Sequence, residues 1–361
     1  MGDAMDYEGR LDKLRAEIGE LDAEALLITN LTNVRYLTGF SGSNAQLLVT
    51  PGAARFLTDG RYRARAKELV RGADVSIYLN RMTDELVPML GDAAVTNLAV
   101  EGKTMTLAQR DDLAKRLDVV ELVSAGGVVE KLRRIKEPAE IDKLRTAIAV
   151  GDSAYAYILD RLAPGRTERE IALDLEVFMR TNGADEISFE PIVGSGPLSA
   201  HIHHTPSERA LEKGDFVLLD FGARIDGYCG DLTRTAVLGA AAEEQSRQYD
   251  AVLKANASAL SEMTPGASCK AIDAVARTAV KEAGYDDFGH GLGHGVGLEV
   301  HEDPRFSRIS EDTLAAGMVM TNEPGLYLET PGGVRIEDCV LITDDGAEVL
   351  TGAPKDTLME L

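Results

Sequence analysis

Over the first third of the chain, short apolar runs bounded by turn residues alternate with amphipathic stretches, and this spacing predicts a series of strands and helices. Residues 9–21 read as an amphipathic helix and ALLIT (25–29) as a buried strand. AQLLVT (45–50) and ARFLT (54–58) read as strands on either side of a Pro51-Gly52 turn. RYRARAKELV (61–70) is helical, DVSIYL (74–79) and LAVE (98–101) are strands, and a helix over 106–117 leads to a strand at VVELV (119–123). Strands alternating with helices predict an α/β domain around a central sheet, ending near residue 130. The segment KLRRIKEPAEIDKLRTAIAV (131–150) opens a second domain. Pro138 suits the first turn of a long helix, where its missing N–H is not needed. That helix is expected to run to Leu162 and stop at Pro164-Gly165.

The second domain carries a weak internal repeat. LAPGRTEREIALDLEVFMRTNG (162–183) is similar to EMTPGASCKAIDAVARTAVKEAG (262–284). Pro164, Gly165, Ile171 and Gly183 match Pro265, Gly266, Ile272 and Gly284 at one offset (265 − 164 = 284 − 183 = 101). Thr167 and Glu170 add a capping box. After each such helix comes a Gly-led strand ending in an acid: Gly214 leads to Asp220, and Gly317 leads to Glu323. Each half then supplies a second acid, Asp231 and Glu337, which fits one pseudo-symmetric site between two duplicated halves.

These acids carry the chemistry. Apolar strands in GDFVLLD (214–220), GDLTRT (230–235), GMVMTNEPG (317–325) and GGVRIED (332–338) deliver carboxylates, and GHGLGHGVGLEVHEDP (289–304) delivers histidines between them. Either aspartate alone would be an ordinary turn or strand-end residue. Four acids on apolar strands need a shared counter-charge, and a metal is the simplest one. Asp220, Asp231, His294, Glu323 and Glu337 are therefore expected to bind two divalent ions. An oxygen-rich set with one imidazole suits Mn, Co, Fe(II) or Zn. Two such ions about 3.5–4 Å apart can hold a hydroxide and polarise a carbonyl, the equipment of an amide hydrolase.

All six histidines fall in two clusters, His201, His203 and His204, then His290, His294 and His301. Clustering beside a metal suggests groups that bind or polarise a substrate carbonyl. Gly291, Gly293, Gly295 and Gly297 let backbone approach closely. None completes a dinucleotide-binding fingerprint, and the lone DFG at Asp220–Gly222 has no kinase companions.

Composition narrows the partners. The chain has 361 residues, 44% of them apolar, enough for two cores. A net charge of -22 makes nucleic acid and anionic membrane poor partners. Cys229, Cys269 and Cys339 are too scattered for a disulfide framework or thiolate metal site. With no 18-residue apolar run and no charged-then-apolar leader, a soluble cytoplasmic protein is expected.

The five acidic and histidine motifs, in this order, resemble the pita-bread metallopeptidase family, which holds methionine aminopeptidase, aminopeptidase P and prolidase. NVRYLTGFSGSNAQLLVT (33–50) and TDGRY (58–62) resemble the creatinase-like domain that precedes it in aminopeptidase P and prolidase. The resemblance implies an α/β creatinase-like N-terminal domain over 1–130 and an α+β pita-bread catalytic domain over 131–361. It implies that Asp220 binds one metal, His294 and Glu323 the other, and that Asp231 and Glu337 bridge. Glu323 would shuttle the proton of the attacking, metal-bridging hydroxide. His203 and His301 would act on the substrate or transition state, with His204 as a competing neighbour for the first role; His290 and Arg335 match secondary site positions. The implied reaction is cleavage of the Xaa–Pro bond, with Mn2+ (or Co2+ or Zn2+) as cofactor and a homodimer as the assembly. Proline makes that bond a tertiary amide and fixes its own φ, so a shaped pocket is needed. Xaa-Pro dipeptides (prolidase) are the expected substrates, with Arg305 or Arg335 pairing the free proline carboxylate. The alternatives are an aminopeptidase P acting on longer Xaa-Pro peptides and a non-catalytic peptide-binding module, which would have lost metal ligands that this chain retains.

Overall fold

A computed structural model describes residues 5–361, so residues 1–4 of the segment assigned to the first domain lie outside the described residues. The chain separates into two compact units between Arg133 and Arg134.

The first unit runs α1 (Tyr7–Ile18), β1 (Ala25–Ile28), α2 (Leu31–Thr38), β2 (Gln46–Val49), β3 (Ala54–Asp59), α3 (Arg63–Leu69), β4 (Asp74–Tyr78), α4 (Met82–Asp92), β5 (Asn97–Val100), α5 (Leu107–Arg116), β6 (Glu121–Ser124) and α6 (Val128–Arg133). Its six strands form one sheet in the order β4-β3-β2-β1-β5-β6. The β1-β2-β3 meander is antiparallel, while β4, β5 and β6 join in parallel. All four residues of β1 are buried, as a strand covered on both faces requires. Ala25 and Leu27 join a cluster with Leu86, Leu90 and Leu113 of α4 and α5. Three short helices go beyond the sequence-based expectation. Of these, α2 had readable punctuation: Asn30 accepts the amide of Thr32, and Gly39 ends the helix at φ 80°.

The second unit opens with α7 (Pro138–Leu159) and α8 (Glu168–Thr181), followed by β7 (Glu186–Ile187), β8 (Ile192–Ser195), β9 (Phe216–Phe221), β10 (Ala223–Ile225), β11 (Tyr228–Cys229) and β12 (Leu232–Val237). Then come α9 (Glu243–Glu262), α10 (Cys269–Glu282), β13 (Gly293–Gly295), β14 (Glu302–Phe306), β15 (Val319–Asn322), β16 (Gly325–Tyr327), β17 (Gly333–Arg335), β18 (Asp338–Thr343), β19 (Gly346–Val349) and β20 (Met359–Glu360). The helix α7 ends at Leu159 rather than Leu162. The amides of Arg161 and Leu162 both turn back to the Ile158 carbonyl, and Leu162 drops into the core.

The repeat is visible in three dimensions. Both ends of α10 lie 101 residues after those of α8 (269 − 168 = 282 − 181 = 101). Gly165 and Gly266 both have positive φ, and their amides bond Leu211 and Leu314 at the same 2.8 Å. Each half lays a helix pair on an antiparallel strand pair, β9 with β12 and β15 with β18. Ile171, Leu175, Val217, Leu219 and Phe221 belong to one apolar cluster, and Ile272, Ala276, Met320, Val340 and Ile342 to the other.

Strand alternation then delivers the acids. In β9, Val217, Leu219 and Phe221 take the helix side, so Asp220 takes the other. In β18, Val340 and Ile342 take the helix side, so the parity puts Glu337 opposite them. Thr233 of β12 sits directly across from Asp220 in the ladder. The two halves are joined there, as the Glu337 amide donates to the Thr233 carbonyl at 3.1 Å. Among the described residues no helix is long and apolar enough to cross a membrane.

Ile171 and Ile272 are 0% and 2% exposed at matched places in the two clusters. Ile171→Ala and Ile272→Ala are each expected to lower stability by about 2–5 kcal/mol, read from urea midpoints. Losses below about 1 kcal/mol at both positions would contradict the two-cluster packing.

Candidate metal centre

The residues singled out for metal binding converge. Asp231, His294 and Glu337 are buried, and one ligating atom from each lies within 4.8 Å of the others. Glu323 joins them, with Oε1 3.2 Å from His294 Nε2, and Asp231 Oδ2 lies 3.8 Å from the same nitrogen. Asp220 closes the group through Arg335, whose guanidinium pairs with Asp220 Oδ2 and donates through Nε to Thr233 Oγ1 at 3.0 Å. The Thr233 hydroxyl in turn donates to Glu337 Oε2 at 2.6 Å.

His294 stands between two glycines on a strand paired on both sides. A Cβ at Gly293 would lie 2.2 Å from the Thr321 carbonyl oxygen, and one at Gly295 would lie 2.7 Å from that of Asp303. These are close approaches to backbone, which only glycine permits. The Nδ1 of His294 is 3.0 Å from the Gly295 carbonyl. A carbonyl can only accept, so Nδ1 donates to it and Nε2 is the nitrogen turned toward Asp231 and Glu323. Glu323 is held by the Thr321 hydroxyl, which donates to Oε1 at 3.2 Å.

The charges do not balance within the protein. Four carboxylates share this space with one buried guanidinium, that of Arg335. Burial, then the charges of Glu337 and Asp220, push the Asp231 carboxyl well above its ordinary range. Burial, then Glu323 and Asp220, do the same to Glu337. Burial also raises Asp220, against the pull of Arg335. For Glu323, burial acts upward, but His294, His290 and Arg335 together outweigh it and keep the group below its ordinary range. Asp220 Oδ1 is buried without a hydrogen-bond partner. A donor set of carboxylate oxygens and one imidazole, with an orphaned buried oxygen and excess negative charge, fits divalent cations.

Behind Glu337 lies a second buried polar group. Arg234 donates to the carbonyls of Glu337 and Thr233 and pairs with Asp338 Oδ1 at 2.8 Å. Lys355 and the Asn256 amide take Asp338 Oδ2. This network fixes the backbone that carries Glu337.

A cavity of about 660 Å³ opens over the acids. His203, His290, His301 and Arg305 line it, with Phe189, Ile192, Ile202, Val300 and Ile309 supplying apolar wall. The His301 ring lies 4.4 Å from the ring of His294, centroid to centroid. Burial and the neighbouring His294 press the His301 imidazole down to about 4, so it is neutral at neutral pH. His290 bonds the Gly291 carbonyl through Nδ1 at 2.7 Å and Tyr327 Oη through Nε2 at 2.8 Å. Arg335 donates to the same Tyr327 oxygen at 2.9 Å. His204 goes elsewhere: its Nε2 meets the buried Glu168 carboxylate at 2.8 Å.

The two arginines differ. Arg335 is 2% exposed and committed to Asp220, Thr233 and Tyr327. Arg305 lies on the cavity wall in β14 and makes no ion pair among the described residues. Sequence reasoning missed Thr233, Thr321, Tyr327 and Glu168. A signal existed for the threonines: each stands two residues from an acid (Asp231, Glu323) and so shares its face of the strand.

Comparison with known proteins identifies both domains. The model of metallopeptidase family M24 matches residues 142–344, and that of the creatinase/prolidase N-terminal domain matches residues 10–135. A Pyrococcus furiosus protein named Xaa-Pro dipeptidase is 36% identical over 352 residues, 97% of this chain and 99% of its own. A Bacillus anthracis structure titled Xaa-Pro dipeptidase aligns with a TM-score of 0.96 at 37% identity, covering 99% of this chain and all of its own. A Thermotoga maritima structure titled X-Pro aminopeptidase aligns at 0.89 and 33% identity, covering 96% and 100%. Both domain folds implied by the motif resemblance are thereby found.

Neutralising one acid should act oppositely on the two forms of the protein. Glu337→Gln is expected to raise the melting temperature of metal-free protein by relieving like-charge repulsion. It should also shrink the further rise that saturating Mn2+ gives the parent chain. A lower metal-free midpoint with an unchanged metal-dependent rise, by calorimetry, would refute the charge argument.

Proposed function

The chain belongs to metallopeptidase family M24, and from that premise we propose that it hydrolyses the Xaa–Pro bond of dipeptides. The observation that carries the dipeptide reading is Arg305, a cavity-wall cation without an ion pair among the described residues, beside the substrate-facing His301. Two relatives named Xaa-Pro dipeptidase support it. In this reading Asp220, Asp231, His294, Glu323 and Glu337 hold two divalent cations, Mn2+ foremost. When bound, the ions supply Lewis-acid activation of water and of the scissile carbonyl.

The chain's own residues do the rest. Thr233 and Arg335 orient Glu337 and Asp220, and the Gly295 carbonyl keeps His294 Nε2 turned inward. Glu323 is ionised at neutral pH; with Oε1 held by Thr321, its Oε2 takes the proton that the attacking water loses as its oxygen bonds the carbonyl carbon, and passes it to the proline nitrogen as the C–N bond breaks. His203 and His301 donate to the carbonyl oxygen as negative charge develops there. Arg305 pairs with the proline carboxylate, and the apolar wall of Phe189, Ile202, Val300 and Ile309 receives the proline ring and the side chain before it.

The similarity to an X-Pro aminopeptidase favours a second reading, in which residues follow the proline. One comparison separates the two. The protein is stripped of metal, reloaded with Mn2+, Co2+ or Zn2+, and given an Xaa-Pro dipeptide and the matching Xaa-Pro-Yaa tripeptide. Cleavage of the dipeptide alone is expected; efficient cleavage of the tripeptide overturns the dipeptidase reading. Arg305→Ala is expected to cost the dipeptide about 10- to 100-fold in kcat/KM, the size of one charge-assisted contact, and a C-terminally amidated dipeptide much less. Equal losses on both would remove Arg305 from carboxylate recognition.

A further inference from the structure

His203 faces the cavity, yet among the described residues no hydrogen bond from another side chain holds its ring. Its direction therefore depends on the backbone of the loop that carries it. That loop leaves β8 at Ser195, passes a 3-10 turn at Gly196–Ala200 and runs on to Ser207. One carboxylate pins both of its ends. Glu168, the first residue of α8, has a side chain with no solvent exposure. Its Oε1 accepts from the amide and hydroxyl of Ser195 at 2.8 and 2.7 Å. Its Oε2 accepts from the Ser207 amide at 3.0 Å, the Ser207 hydroxyl at 2.7 Å and His204 Nε2 at 2.8 Å. Burial acts to raise this carboxyl, but the bonds from Ser207, His204 and Ser195 outweigh it, and the group is ionised. A buried charge is tolerable at a helix start when every lone pair is used.

The internal repeat argues that this anchor is not an architectural necessity. The residue matching Glu168 in the second half is Cys269 (269 − 168 = 101), also the first residue of its helix and also buried. The Glu168 amide bonds the Arg209 carbonyl and the Cys269 amide bonds the Asp312 carbonyl, so the two helix starts are held alike by backbone. A small thiol is sufficient there. The carboxylate occurs in the half whose loop carries the adjacent pair His203 and His204.

We propose that Glu168 and His204 are positioning residues, a buried anchor and its tether, that hold the 195–207 loop so that His203 points at the substrate. The two adjacent histidines then divide the work: His203 faces the reaction and His204 faces the protein. The inference rests on the proposed role of His203, and the test is built so that the two can fail separately.

The test is a double-mutant cycle on the metal-loaded protein, with an Xaa-Pro dipeptide as substrate. His204→Phe keeps an aromatic ring and removes the donor to Glu168; His204→Gln keeps a donor. His204→Phe is expected to lower kcat/KM about 10- to 100-fold, mostly through kcat, and His204→Gln to recover most of it. In a His203→Ala background the same His204→Phe change should cost no more than about twofold, because it acts through a group already gone. A loss of equal size in both backgrounds overturns the positioning role. If His203→Ala has no effect while His204→Phe does, the proposed role of His203 falls, and the positioning role with it. Should His204→Phe fail to fold by thermal melting, Ser207→Ala, which deletes one bond to Glu168 at little change in volume, takes its place in the cycle. The same non-additivity with His203→Ala is then required.

Discussion

Four carboxylates crowded around one guanidinium govern this molecule. Two unit charges 4 Å apart repel by about 4 kcal/mol at the effective dielectric of a protein interior near its surface, and here several such pairs coexist. Without a cation the protein answers by raising the affinity of Asp231 and Glu337 for protons. With a cation the same repulsion becomes binding energy. The surroundings must hold the acids together against their own charge. The apolar clusters behind β9–β12 and β15–β18 do this from both sides, and Arg234, clamped to the carbonyls of Thr233 and Glu337, ties the two halves at the point of greatest repulsion.

Much of this was legible in the sequence because it is carried by short periods. The acids stand on or at the ends of short, largely apolar strands, so the face each one occupies follows from counting. The Pro-Gly punctuation and the 101-residue offset gave the duplicated helices, and both helix starts fall where the offset requires. The resemblance to a metallopeptidase family added an order of ligands that spacing alone could not rank.

The rest was hidden for specific reasons. The helix α4 contains Pro88 and Gly91, which argue against a helix; burial of Leu86 and Leu90 against the sheet overrides them. The short α6 offered too few turns for a period to emerge. Asp220, which pairs with Arg335, Asp338, which pairs with Arg234, and His204, which bonds Glu168, lie dozens of residues away or more, so nothing local announces them. Arg305 and Arg335 were equivalent on paper, and only burial separates a guanidinium committed to the protein from one lining the cavity. The same holds for His203 and His204, neighbours in sequence that face opposite ways.

The glycines around His294 carry a consequence for how this sequence can change over generations. At Gly293 and Gly295 the obstacle to a methyl group is backbone oxygen of adjacent strands, which no compensating side-chain change can move aside. Variation elsewhere in the site can proceed through tolerated intermediates, since side chains can repack. Here every single-residue step is blocked on both sides of the imidazole. This stretch is therefore an evolutionary dead end, a place where drift halts while the surrounding strands diverge.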